Sequence, residues 1–583
     1  MATSQKPAQS CDIVMKGGIT SGVVYPLAMV ELAKKFRFAN IGGTSAGAIA
    51  AAAAAAAEYG RLVEGAGFER LEKVPQEVGP ELLSMFQPSP ALKPLFSMFV
   101  AALRANGAIE RTFAIFAAAL RGYRFAALLG VAPGVIIAVI ALLWCAWGWF
   151  FFGVLAAVVG LMAALAWRLQ KATNTELPAN DYGLCPGIRQ CGSAPDGFTD
   201  WLGLLIQEAA GRKPGDPPLT FGDLDAPPDG APAINLAMVT TSLMEERPYT
   251  LPMQNERFSF RISEWRKIFP KEVMDFLIAN GRPFEVENDE KEDFFYFPER
   301  SKLPVIVGAR MSLSFPVLIS AVPLWTRDFT LRTEDDRQTL RRCLFSDGGL
   351  TSNFPIHFFD HLFPNSPTFA ISLDDFDAAR NYSHVWLPAS PRSGSQLPIL
   401  PFSGLGSFLL RLLYSAKDWQ DNLQSTLPGY RERIVHIALK PDEGGLNLTM
   451  NKETVARLVG YGQQAGIKLR DDFDMNEHRW RRFLVSMARM EQSLDEVAAA
   501  YEQVPGEFGD FLDRYLKDAK PYKSPEEPGH RPPYSQDTKA RVEEMLRRAG
   551  QLVALGKDWR AKPTIRDGDI PRPATNLRIT PKY

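Results

Sequence analysis

The chain has 583 residues, 46% of them hydrophobic and 22% charged, material for about four ordinary domains with ample core. Its 65 basic and 66 acidic residues cancel, so bulk charge selects no polyanion and no nucleic-acid partner is expected. Five scattered cysteines (Cys11, Cys145, Cys185, Cys191 and Cys343) fit a reducing compartment and not a disulfide framework, and none has the histidine neighbours of a zinc site.

The amino terminus is polar and lacks a charged stretch followed by an apolar run. No secretory signal is expected, and the chain is read as starting in the cytoplasm. Cys11 to Lys16 predicts a first strand, followed at once by Gly17-Gly18-Ile19-Thr20-Ser21-Gly22 and a helix to about Lys34. A glycine-rich turn between strand and helix presents backbone N–H groups to an anion. Nucleotide binding is the rival reading, but the spacing fits neither G-x-G-x-x-G nor the P-loop.

Phe36 to Ile41 predicts a second strand, which runs into Gly42-Gly43-Thr44-Ser45-Ala46-Gly47 and an alanine-rich helix to Tyr59. Strand, tight turn with Ser45 at its apex, helix: this is the G-x-S-x-G nucleophile-elbow pattern. Gly43 and Gly47 flank the serine because strand and helix come too close there for a Cβ. The helix N-terminus points its unpaired N–H groups at the serine. Two such turns in succession suit an oxyanion hole beside a nucleophile.

From Phe125 to Trp167 there is no charged side chain, about twice the ~20 residues that cross a bilayer once. Trp144, Trp147, Trp149 and Phe150 to Phe152 cluster at the midpoint, while Arg121 and Arg124 flank one end and Arg168 and Lys171 the other. This predicts a hairpin of two spans, about 126–146 and 149–167, with both basic ends on the cytoplasmic side. Beyond it, residues 171–230 are loop-rich around one helix, Trp201 to Ala210. Strand-like runs resume at Ile234 to Thr241, Val305 to Gly308, Cys343 to Phe345, Thr368 to Leu373 and Ile434 to Leu439. Strands separated by helical stretches imply an α/β layer architecture. Leu397 to Trp419 is an apolar stretch with Pro and Gly, read as a lid, an interfacial helix or a core helix. Helical patterns then fill about 452–471, 476–503 and 536–556, with a Pro-rich connector near 520–533.

A serine nucleophile needs a base. Cys343-Leu344-Phe345-Ser346-Asp347-Gly348-Gly349 is an apolar strand ending in an aspartate and two glycines, which sets a carboxylate where ligands of open α/β sheets bind. The six histidines (His357, His361, His384, His436, His478 and His530) have no distinctive setting. His357 and His361 read as helix residues, and all six as structural or surface groups.

With these pieces the chain resembles the patatin-like phospholipase family, which uses a serine–aspartate dyad without histidine. The matching residues are Gly17-Gly18…Gly22, Gly43-Thr44-Ser45-Ala46-Gly47 and Asp347-Gly348-Gly349. Weaker likenesses are Pro218 to Leu224 and Ala309-Arg310-Met311-Ser312 to Pro323. One departure stands out: the family loop usually reads Gly-Gly-Gly-x-Arg-Gly, whereas here Ile19 replaces the third glycine and Ser21 the arginine, leaving Lys16 as the cation at hand to anchor the loop.

The resemblance, which covers about residues 11–375, implies a three-layer α/β/α core with a central, partly parallel sheet. Residues 11–124 would form its first part and 169–375 its second, with the transmembrane hairpin 125–168 inserted between them. Residues 376–450 would complete the core and carry the lid or interfacial segment, and 451–583 would form a C-terminal helical region. It also implies catalytic Ser45 and Asp347, with an oxyanion hole from the N–H groups of Gly17, Gly18, Ile19 and Ala46. No metal or organic cofactor is expected. The expected activity is phospholipase A or lysophospholipase chemistry on membrane phospholipid, by an integral protein of the cytoplasmic (inner) membrane with its catalytic domain on the cytoplasmic side. Alternatives are another serine esterase, an acyl thioesterase, or a non-enzymatic lipid-binding scaffold. The C-terminal region is where a second copy or a regulatory partner is expected. Two spans also return the chain to one face, as a shared Ser45–Asp347 site requires.

Overall fold

The structure is a computed structural model that describes residues 7–18, 21–105, 107–193, 195–254, 256–284, 293–380, 383–389, 393–440, 442–445, 447–502 and 539–562. It is an α/β fold around one mixed sheet of eleven strands. In chain order these are β1 (Gln9–Met15), β2 (Phe36–Gly43), β4 (Asn235–Ser242), β5 (Arg247–Leu251), β6 (Ser259–Arg261), β7 (Phe294–Tyr296), β9 (Val322–Arg327), β10 (Leu340–Asp347), β11 (Thr368–Asp375), β12 (Val385–Trp386) and β13 (Ile434–Leu439). A separate pair consists of β3 (Gly183–Cys185) and β8 (Val317–Ile319).

Across the large sheet the order is β12-β13-β11-β1-β2-β4-β10-β9-β6-β7, with β5 paired to β4. The centre, β13-β11-β1-β2-β4, is parallel, and its strands are largely buried. Both faces of such strands are covered, so near-continuous apolar runs form them. In β1, Cys11, Ile13 and Met15 enter the main hydrophobic cluster on one face, while Val14 joins a smaller cluster with Phe354, Ile356, Phe359, Ala370 and Ile434 on the other.

Helices α1 (Tyr25–Ala33) and α2 (Ala46–Tyr59) follow β1 and β2. Seven alanines of α2 (Ala48, Ala51, Ala52, Ala54, Ala55, Ala56 and Ala57) are fully buried. Alanine loses no side-chain entropy in a helix and lets it lie close to its neighbours. Helix α3 (Gly67–Met85) crosses over α1 and α2.

Next come α4 (Lys93–Arg104), α5 (Ala108–Gly122), α6 (Arg124–Leu143) and α7 (Trp147–Lys171). The last two form the predicted hairpin and are long and apolar enough to cross a membrane. They meet through small residues. A Cβ on Gly130 would lie 2.4 Å from the Gly160 carbonyl oxygen, and one on Gly134 2.1 Å from the Ala157 nitrogen. Gly130-x-x-x-Gly134 is the small-residue spacing that lets two helix backbones touch. The large side chains, among them Leu129, Ile136, Leu143, Phe151 and Leu155, face outward and are exposed.

Two expectations need correction. Val305 to Gly308 is not a strand but the start of a buried helix, Val305–Ser312; a short apolar run fits either state, and only packing decides. His357 and His361 lie in the turns after β10 and not in a helix. The Lys452–Asp471 helix, where the first C-terminal helix is expected, packs into the core. A Cβ on Gly462 or Gly466 would strike the carbonyl oxygen of Val24, just before α1, or of Ala28, within it, at 1.8 and 2.6 Å, and Leu458, Ala465 and Leu469 belong to the main core. Helices Met475–Glu502 and Lys539–Ala561 follow as expected. The Pro-rich connector near 520–533 and His530 lie outside the described residues.

Candidate functional site

Ser45 stands between β2 and α2 with φ 55° and ψ −128°, a backbone state that non-glycine residues rarely adopt and that only the surroundings can hold. The flanking glycines make the turn possible. A Cβ on Gly43 would sit 2.3 Å from the Gly47 carbonyl oxygen, and one on Gly47 2.3 Å from that of Met15. The Ser45 N–H donates to Ser312 Oγ at 3.2 Å, which ties the turn to the end of the Val305–Ser312 helix.

Asp347 is the last residue of β10, which runs antiparallel to β4. Registers bring it level with the serine: Gly43 pairs with Met238 and Asp347 with Thr240, so Asp347 stands as far past Met238 as Ser45 does past Gly43. The two lie two strand spacings apart, about 10 Å between backbones, and their side chains close that gap. Asp347 is buried. Gly349 N–H donates to its Oδ1 at 2.6 Å, while Oδ2 is buried with no partner in regular hydrogen-bond geometry among the described residues. Burial raises the carboxyl pKa to about 6, against the opposing pull of the Ser45 hydroxyl, the Gly349 N–H and Lys417. The result is a fixed carboxylate with one open oxygen beside a serine hydroxyl, the arrangement a general base needs. Gly348 and Gly349 are both required, because a Cβ would lie 2.1 Å from the Val239 carbonyl oxygen at the first and 2.8 Å from Asp347 Oδ1 at the second.

Asn353 joins the pieces. Its carbonyl accepts from Gly17 N–H and from Thr44 Oγ1, both at 2.9 Å. A Cβ on Gly17 would meet Asn353 Oδ1 at 2.3 Å and Ser45 Cβ at 3.0 Å, so the glycine-rich turn lies directly on the serine. This corrects one expectation: the Gly17 N–H is committed to Asn353 and is not open to an oxyanion. Gly18 and Ala46 N–H groups have no acceptor among the described residues, and Gly22 abuts Ala46. Ile19 lies outside the described residues. Lys16 anchors the turn from its strand side, donating to the Leu373 carbonyl at 3.0 Å and pairing with Asp374 at 3.2 Å. With His436 it holds the Asp374 carboxyl well below the usual range.

Sequence reasoning gave no site role to two groups that build this site. Arg310, fully buried, donates to the carbonyls of Pro186 and Ser320 and to Ser314 Oγ; the Ser314 carbonyl in turn receives the Asp347 N–H at 3.0 Å. A lone arginine inside an apolar run, Val305 to Leu313, was the available signal. Asp421, on the Gly404–Thr426 helix, accepts from the N–H groups of Asn353 and Phe354 at 2.7 and 2.8 Å. Nothing in its sequence surroundings marks it. The histidines are engaged elsewhere: His384 stacks between Phe376 and Tyr461, His436 bonds Asp374, His478 faces Glu432 and His357 interacts with Gln424. No cluster of metal-ligating side chains occurs among the described residues.

Fold and site together define an α/β protein with a serine-bearing strand–turn–helix facing a buried aspartate. No protein-family model matches the chain. It is 33% identical over 666 aligned positions, spanning 100% of both chains, to the RpoH suppressor of Rhizobium meliloti (strain 1021), and it belongs to that protein's family. Among solved structures, VipD from Legionella pneumophila overlays 94% of this chain and 85% of its own at 12% identity and a TM-score of 0.31. The ExoU–SpcU complex of Pseudomonas aeruginosa gives 96%, 90%, 13% and 0.23. These overlays are too loose to define a shared fold.

Proposed function

We propose that this protein is a membrane-anchored serine acyl hydrolase of the patatin-like type, which releases ester-linked fatty acid from phospholipids. The observation that carries the reading is the pairing of Ser45, strained at the apex of its turn, with a buried carboxylate that has one oxygen open. Ser45 Oγ attacks the ester carbonyl carbon as Asp347 takes its proton. The N–H groups of Gly18 and Ala46 receive the charge that develops on the carbonyl oxygen. Collapse of the tetrahedral intermediate breaks the C–O ester bond, and Asp347 returns the proton to the departing lysolipid alcohol. Water, deprotonated by Asp347, then attacks the acyl-serine, releasing the fatty acid and restoring the serine.

Helices α6 and α7 supply the anchor in this reading. Arg124 at the start of α6, and Arg168 and Lys171 at the end of α7, put the basic residues at one end of the hairpin, which favours that end facing the cytoplasm. The catalytic residues then share that side. A second lipid contact is the exposed stripe Leu405, Phe408, Leu409 and Leu412 on the Gly404–Thr426 helix, whose spacing marks one helix face.

The test is release of fatty acid from mixed phospholipid vesicles by detergent-purified protein, with Ser45→Ala and Asp347→Asn in parallel. The parent is expected to hydrolyse and each variant to lose about 10³-fold or more of kcat. Equal release by parent and variants would sink the dyad. No release by the parent, together with no labelling of Ser45 by a fluorophosphonate, would favour a lipid-binding scaffold.

A further inference from the structure

We propose that an apolar groove between α1, α2, α3 and the Phe198–Ala209 helix is an acyl-chain subsite, shaped for one linear hydrocarbon chain. The inference rests on the hydrolase reading of Ser45 and extends it. The groove has a cavity volume of about 70 Å³, a narrow cleft and not a broad pocket. Gly22 and Ala46 line it, so it begins on the two turns that flank Ser45.

Its walls explain part of the alanine run. Ala46, Ala50 and Ala53 line the groove at helical spacings of four and three, a stripe about 10 Å long on one face of α2. The remaining alanines, Ala51, Ala52 and Ala54 to Ala57, are buried in the core. Of Ala50 to Ala57, six alanines thus pack closely in the core and two, Ala50 and Ala53, face the groove. Facing it, Val74, Val78 and Leu82 repeat every four residues along α3. No charged side chain lines the groove; the two lining side chains with a polar atom are Tyr25, whose hydroxyl is turned aside to the Lys16 carbonyl, and Trp201. A ligand with hydrogen-bonding groups along its length would leave them unpaired there, whereas a hydrocarbon chain leaves none. With its carboxyl carbon at Ser45, the chain of a fatty acyl ester would run along α2 away from the turn.

Two readouts test this on the full-length protein in detergent. The first is the ratio of kcat/KM for p-nitrophenyl palmitate to that for p-nitrophenyl butyrate. Ala53→Leu, which fills the groove, is expected to lower the ratio about tenfold, the scale of a few methylenes in an apolar pocket. Leu82→Ala, which widens it, is expected to raise the ratio and serves alone if Ala53→Leu does not fold. The second is fluorescence of cis-parinaric acid bound to Ser45→Ala protein, which needs no turnover; adding Ala53→Leu or Leu82→Ala is expected to shift its Kd. Unchanged ratios and unchanged parinarate binding overturn the subsite even if the parent hydrolyses every ester. Parinarate binding that responds to position 53 or 82, in a protein that cleaves no ester, keeps the groove as a fatty-acid site and overturns the hydrolase reading instead.

Discussion

Burial holds the Asp347 carboxyl at about 6 instead of the ordinary 3.8, and two outcomes follow at the scale of this residue. As a base it works only when ionised, so kcat/KM is expected to rise with pH through an inflection near 6 and to fall about tenfold per unit below it. A pH–rate profile without that limb would remove Asp347 from the base role. The folded-state value lies above the unfolded one, so the protonated carboxyl contributes stability that is complete below about pH 3.8 and lost as pH rises through 6. At pH 8 the buried anion therefore costs up to about 3 kcal/mol. Asp347→Asn is expected to abolish hydrolysis yet raise the Tm at pH 8 and not at pH 3.5. A lower Tm at pH 8 would contradict the burial argument.

At the scale of elements, the Gly404–Thr426 helix is coupled to the glycine-rich turn through one carboxylate. Asp421 fixes the Asn353 and Phe354 N–H groups, and the Asn353 carbonyl fixes Gly17 and Thr44. Asp421→Ala leaves two amide N–H groups without their partner, at about 1–3 kcal/mol each. It is expected to lower kcat and to speed hydrogen exchange at Asn353 and Phe354, with Asp421→Asn recovering much of both. Exchange as slow as the parent's would show that the helix does not position the turn. This coupling was not legible in the sequence, because the partners are about seventy positions apart and meet through backbone groups. The elbow was legible, since its requirements are local: a strand, two glycines two residues either side of Ser45, and a helix.

At the scale of the molecule, the proposed reading makes the α6–α7 hairpin a separable insertion. Tyr123 and Ala172, at its two ends, belong to one apolar cluster, and a Gly-Ser link in place of residues 124–171 tests the separation. The shortened protein is expected to purify without detergent and to keep turnover of short-chain esters while losing co-flotation with phospholipid vesicles. Flotation equal to the parent's would move the anchor to another surface, first of all the Gly404–Thr426 helix.

The sequence alone determined what depends on neighbours along the chain. It placed the serine turn, the glycines after Asp347, the strands of the parallel centre and the apolar hairpin, because glycine spacing, apolar runs and missing charge act within a few residues. Tertiary structure decided the rest. Val305 to Gly308 became helix because packing overrides a short apolar run, and the Gly17 N–H donates to Asn353, a residue of the segment after β10 and more than three hundred positions away. The Lys452–Asp471 helix entered the core because two glycines let it lie against the backbone of the first helical segment. The level at which Ser45 and Asp347 meet is a matter of strand register, and register is fixed by pairing between strands, which no single stretch of chain contains.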